Sequence, residues 1–164
     1  TLTNLAGMLK INRGDVLQKV EQLLTTVKDQ EREIQQLQQK LAHTEVAELL
    51  KNVQEVAGVK VLTAQVQAPD IDALRKMTDL LRDKLGSGVI ILGAPVEDKV
   101  QFVAAVSKEL TGKLHAGKLV KEVAKVAGGG GGGRPDMAQA GGRDVAKLGA
   151  ALQRGLEMVN FSLS

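Results

Sequence analysis

The part of this sequence best suited to chemistry is bare backbone. Gly128 to Gly142 reads GGGGGGRPDMAQAGG, six consecutive glycines and then Arg134-Pro135-Asp136. Six glycines in a row are not helical, because each loses too much backbone freedom on ordering. Three uses justify them inside a packed domain. Their N–H groups can line an anion site, since no side chain holds a phosphate oxygen away. They can let one backbone pass very close to another, or they can act as a hinge. A plain flexible linker is the bland alternative. Against it stand the charged, conformationally restricted Arg134-Pro135-Asp136 and the second glycine pair, Gly141-Gly142.

Cations gather beside this run. From Lys113 to Arg134 there are five Lys/Arg and one acid, Glu122. Residues 1–57 carry 7 Lys/Arg against 8 Asp/Glu, and residues 58–164 carry 15 against 11, within a formal net charge of +3. Such focusing can steer a polyanion, although any single lysine is equally well explained as a solvated helix face. On a helical wheel Lys118, Lys121 and Lys125 cluster opposite an apolar face of Ala116, Leu119, Val120, Val123 and Ala127. They form a ridge leading toward the glycines, which Arg134 extends and to which Arg143 and Lys147 return. Arg134 and Asp136 can instead pair and pin the segment. Gln139 can read a base edge or satisfy nearby backbone groups.

Other chemistries are excluded or weak. There is no Cys, Trp or Tyr, and the aromatics are Phe102 and Phe161 alone. Disulfides, thiol catalysis and aromatic stacking platforms are therefore absent. His43 and His115 are too few for a zinc site, and no cofactor is expected. Gly112 to Lys118 (GKLHAGK) falls one hydroxyl short of a phosphate-binding loop, because Leu119 stands where Ser or Thr would hold Mg²⁺. The glycine run follows a helix, not a strand, which argues against a dinucleotide site. Asn160-Phe161-Ser162 is a glycosylation sequon by chance. His115 sits where it would cap or pack at a helix start, and His43 lies on a helix surface.

The elements that position these residues form two parts, 1–57 and 58–164. In the first, Leu2, Leu5 and Leu9 have helical spacing, and Asn12 to Asp15 reads as a turn with Asp15 capping the next helix. Heptads then place Val20, Val27, Ile34 and Leu41 in one set of core positions. Val16, Leu23, Gln30, Leu37 and Thr44 make the other. With no Pro or Gly from Asp15 to Ala57, the helix would run roughly 60 Å. Its stripe must be buried by an antiparallel helix of the same chain or by a second subunit.

Gly58 is read as the left-handed end of that helix. Val59–Val66 is a strand, and Asp70 caps a helix with Leu74, Met77, Leu80, Leu81 and Leu85 inward. Val89–Leu92 is an apolar run, a strand buried on both faces. A turn around Gly93-Ala94-Pro95 leads to a strand at Val100–Val106, antiparallel to it. Next come a helix at Ala116–Ala127, the glycine run and an edge strand at Met137–Ala140. Asp144 then caps a last helix, Val145 to Asn160. The fold class is α/β: a helical hairpin or coiled-coil arm followed by a small α/β globular domain with a mixed sheet.

The fifteen-residue motif GGGGGGRPDMAQAGG, preceded by HAGKLVKEVAKVA (His115 to Ala127), resembles the C-terminal domain of bacterial alanyl-tRNA synthetases. The globular part resembles the DHHA1 domain shared with DHH phosphoesterases, and the upstream coiled coil fits the helical hairpin of those synthetases. The resemblance implies a non-catalytic module, with no metal, that binds alanine-accepting tRNA at its elbow. It implies that one tRNA is thereby served for both aminoacylation and editing, in a cytoplasmic, ATP-dependent ligase. Dimerisation through the helical arm or the globular domain is implied for some members. RNA contacts are expected at Lys113, Lys118, Lys121, Lys125, Gly130, Gly131, Gly132, Gly133, Arg134, Arg143 and Lys147. One alternative is a mainly oligomerising module with little RNA affinity. Another is the substrate-binding accessory domain of a DHH-type phosphoesterase. Arg134 replaces the His of the phosphoesterase motif, and the metal-binding DHH domain is absent, so hydrolysis is not expected. The chain starts at Thr1 within a helical pattern and reads as a fragment of a larger protein. No membrane partner is expected.

Overall fold

The computed structural model describes residues 1–164, which divide into two compact units, 1–42 and 43–164. In the first unit, helix α1 (Leu2–Leu9) ends at Lys10, in the left-handed conformation with φ 51°. The Ile11 N–H reaches back to the Ala6 carbonyl at 3.0 Å and closes the last turn. A short 3-10 turn (Arg13–Asp15) then runs directly into α2 (Val16–Leu50). Asp15 is therefore not the expected cap. It is already inside the turn, its N–H bonded to the Asn12 carbonyl, so it cannot take the extended conformation of a capping residue. Val16 is buried, but beyond it the heptad stripe is uncovered: Leu23, Val27, Ile34, Leu37 and Leu41 are each 41–65% exposed.

The helix does not reach Ala57. It ends at Leu50, and Gln54–Val56 form strand β1, antiparallel to β2 (Val59–Gln65). Gly58 accordingly closes no helix. Ala57 and Gly58, with φ 50° and 79°, are the two central residues of a tight hairpin whose twist requires positive φ at both. Gly58 reads equally as a helix end or a hairpin. Pairing with β2, a tertiary term, decides between them.

The second unit is a six-stranded mixed sheet in the order β1-β2-β3-β4-β6-β5. Its other elements are α3 (Ile71–Leu85), β3 (Val89–Val96), β4 (Lys99–Val106), α4 (Ala116–Val126), β5 (Gly130–Gly133), β6 (Met137–Gly142) and α5 (Leu148–Leu163). Only β2 and β3 pair in parallel, across α3. Asp70 caps α3 as expected, accepting the Ala73 N–H at 2.8 Å. Alternate residues of β3 feed two cores, the period-2 pattern of a strand covered on both faces. Val89 and Ile91 pack with Phe102, α4 and α5. Ile90 and Leu92 pack with Val103, α3 and Val46, from the end of α2.

Three boundaries differ from expectation. The segment Gly93-Ala94-Pro95 is not a turn: β3 continues through it, and the chain reverses at Glu97-Asp98. The last β2 pair is Gln65 with Gly93, so beyond it β3 has one neighbour and tolerates a proline. Gly93 itself is set by packing, since a Cβ there would lie 2.5 Å from Leu148 Cδ1. Asp144 caps a 3-10 turn (Val145–Lys147) through the Ala146 N–H at 3.1 Å, and α5 starts only at Leu148. Finally, the edge strand is not Met137–Ala140. That segment belongs to β6, which lies inside the sheet, and the glycines make the edge.

Candidate nucleic-acid interface

Gly130–Gly133 are a strand, not an open anion-binding loop. They pair antiparallel with β6 in the register Gly130↔Gly141, Gly131↔Ala140, Gly132↔Gln139 and Gly133↔Ala138. Arg134 donates its N–H to the Met137 carbonyl at 3.1 Å, closing a turn over Pro135-Asp136. That turn is tied down on both sides. The Asp136 carbonyl accepts the Val106 N–H, and the Pro135 carbonyl accepts the Ala116 N–H, each at 2.9 Å. The sequence permitted an anion nest or a close backbone approach, and the structure shows the second for half of the run. A Cβ on Gly129 would lie 1.8 Å from the Gly141 oxygen, and one on Gly131 would lie 2.3 Å from Ala140 Cβ. From the other side, a Cβ on Gly117 of α4 would lie 2.6 Å from the Gly133 oxygen.

Gly130 and Gly132 obey no such constraint. A Cβ at either would meet nothing within 4 Å. The register explains the alternation. Ala138 and Ala140 belong to the core beneath α4 and α5, so Gly133 and Gly131, opposite them, share that face. Gly130 and Gly132 lie on the α3 side with Gly141 and Gln139, and Gln139 is exposed. Packing does not explain why these two positions lack side chains. An incoming surface would.

The cations predicted to serve this site divide into three groups. Arg134 lines a shallow cleft of about 310 Å³ with Gly132, Gly133 and Gln139. It also lies 3.3 Å from Asp136, so the pinning pair is formed, while its side chain stays 76% exposed. Such an exposed pair is worth under about 1 kcal/mol and leaves the guanidinium able to turn to a phosphate. Arg143 lines a second cleft, of about 450 Å³, with Gly128, Gly129, Gly130, Gly141 and Gly142. Its side chain makes no ion pair, and its N–H is held by the Ala127 carbonyl at 2.8 Å. Lys113, Lys118 and Lys121 are exposed and make no ion pair. Lys125 is bonded to Glu122, whose carboxyl it holds below the usual carboxylate range, and Lys147 lies 3.6 Å from Asp144. Lys118, Lys121 and Lys125 stand on α4, which packs on the face opposite the open sides of Gly130 and Gly132. His115 caps α4, its Nδ1 accepting the Gly117 N–H at 3.1 Å.

Two cations on these clefts had no signal in the sequence. Arg75, exposed on α3, lines the first, and Lys99, exposed at the start of β4, lines the second. Each reads alone as an ordinary surface residue, and only the sheet order brings it near the glycines. No group of three His, Cys, Asp or Glu could hold a metal ion, and no helix is long and apolar enough to cross a membrane.

Residues 58–160 match the DHHA1 domain family. The chain is 52% identical over 163 residues to an alanine–tRNA ligase of Pelotomaculum thermopropionicum, covering 99% of this chain and 19% of that protein. It is 44% identical over 164 residues to an alanine–tRNA ligase of Acetivibrio thermocellus, again covering 99% and 19%. This chain thus spans about a fifth of the length of these relatives. Among solved structures, the C-Ala domain of Aquifex aeolicus alanyl-tRNA synthetase aligns with a TM-score of 0.59 and 32% identity, over 68% of this chain and 97% of that one. With that identity extending across nearly the whole solved domain, and with the glycine strand in the matched region, this chain belongs to the DHHA1 family, in the form alanyl-tRNA synthetases carry as the C-Ala domain.

Proposed function

We propose that this chain is the non-catalytic tRNA-holding module of an alanine–tRNA ligase, gripping alanine-accepting tRNA at its elbow through phosphate and shape contacts. One observation carries the reading: an edge strand made only of glycine, open at Gly130 and Gly132 and flanked by the exposed cations Arg134 and Arg143. A surface without side chains lets a polynucleotide approach the backbone closely. Lysine and arginine contact phosphates without reading sequence, as recognition of folded RNA by shape requires. By holding one tRNA away from the catalytic parts of a longer protein, the module would keep it available to both aminoacylation and editing centres. The test is a nuclease footprint of the chain on alanine tRNA. Protection is expected where the D- and T-loops meet, and it should vanish on a tRNA whose elbow contacts are disrupted. Equal protection of both RNAs would overturn the elbow assignment.

A second reading applies to residues 1–42, because their heptad stripe is exposed. Apolar residues repeated at that spacing need a second helix, and we infer that another copy of the chain supplies it. Sedimentation should give a dimer for residues 1–164 and a monomer once residues 1–42 are removed. The same oligomeric state for both would remove the arm from this role.

A further inference from the structure

We propose that Arg75 and Lys99 belong to the RNA-contacting surface, and that RNA crosses the α3-side face of β5 and β6 and the accessible start of β4, at Lys99 and Gln101, instead of the lysine row of α4. The inference rests on the tRNA-holding reading and names the face and the residues that make contact. Strand register lays out this face in two rows, Gln101–Gly141–Gly130 and Val103–Gln139–Gly132. Three of the six positions are glycine and two are glutamine, whose amides can meet a 2′-hydroxyl or a base edge, while the sixth, Val103, is buried under α3. Helix α3 packs over β3 and β4, leaving Gln139 and the open sides of Gly130 and Gly132 uncovered.

Each end of this platform carries two cations. Arg75 and Arg134 line the cleft at Gly132–Gly133, and Lys99 and Arg143 line the cleft at Gly128–Gly130. Arg75, Lys99 and Arg143 make no ion pair, and the acids Glu97 and Asp98 beside Lys99 form none with it. The four residues of β5 separate the two ends by roughly 10 Å. The α4 row is less well supplied, since Glu122 engages Lys125. A protein strand adding to β5 is a poor fit. Gly117 of α4 already lies against Gly133, and the glycine floor has no alternating pockets to receive side chains.

The test compares two double variants of the full chain, Arg75→Gln with Lys99→Gln and Lys118→Gln with Lys121→Gln. Alanine tRNA binding is measured by equilibrium titration across a salt series. All four side chains are exposed and unpaired, so both variants should melt as the parent chain does. The first is expected to lose about tenfold or more in affinity, and its slope of log K against log salt should shrink by about 1.5, the loss of two phosphate contacts. The second should lose less than about threefold. A larger loss in the second variant overturns the face assignment and leaves the tRNA reading standing. A loss in the first variant with an unchanged slope also overturns it, because no phosphate contact was removed. If the unaltered chain shows no salt-sensitive tRNA binding, both fall together.

Discussion

Replacing Gly129 with alanine is expected to destabilise the globular unit by about 3 kcal/mol or more. In a chain of this size, that lowers the melting temperature by on the order of 10 °C. The added Cβ would sit 1.8 Å from the Gly141 oxygen and 2.6 Å from the Gly142 Cα. Neither obstacle can rotate away. Both are backbone of β6, which is held against β4 through Val100↔Gly142 and Gln101↔Gly141. Gly129 cannot retreat cheaply either, because its N–H is bonded to the Ala124 carbonyl at 2.9 Å. Gly130→Ala is the control. Its methyl meets nothing within 4 Å, so the same change one residue on should alter stability by less than about 0.5 kcal/mol. It should nonetheless weaken tRNA binding, because it places a side chain on the contact surface. Scanning calorimetry reads the pair, since a chain without Trp or Tyr offers little fluorescence. If Gly129→Ala melts within about 2 °C of the parent chain, close approach is not what this glycine supplies.

The second large effect is on affinity. About four cations engaging phosphates predict a slope of log K against log salt near −3. Raising monovalent salt from about 50 to about 200 mM should then weaken tRNA binding roughly 60-fold. The charges responsible all lie beyond residue 57, because residues 1–57 carry 7 Lys/Arg against 8 Asp/Glu. Deleting residues 1–42 should therefore leave the slope unchanged. A slope shallower than about −1 would mean that the module does not hold RNA by its phosphates.

The two effects separate what the motif does for the fold from what it does for a ligand, and they show how much of the site was legible. The sequence singled out the glycine run beside Arg134 and a cationic helix as the candidate site, since such a run has few uses. It did not show that alternate glycines serve different masters. Gly129, Gly131 and Gly133 are required by backbone lying against them, while Gly130 and Gly132 face outward. That division is the two-residue period of a strand, and six identical residues carry no period to read. Arg75 and Lys99 were invisible for a related reason. The glycines they flank begin 57 residues on, at Gly132, for Arg75 and 29 residues on, at Gly128, for Lys99, and a lone exposed cation carries no spacing signal.

Periodicity and capping by themselves determined α3 with its Asp70 cap, α4 with its apolar face, the buried β3 and the long α2. Those signals are local, because hydrophobic spacing and a capping oxygen act within a few turns. The tertiary structure alone decided three things: that α2 yields to β1 at Gln54, that β3 carries on through Gly93 and Pro95, and that the glycine run forms the sheet's edge. Each depends on the N–H and C=O groups of a partner strand, a few residues away across a hairpin for β1–β2 and β3–β4, and farther along the chain where β6 joins β4. Backbone pairing energy does not appear in side-chain pattern, so no window along the chain could weigh it.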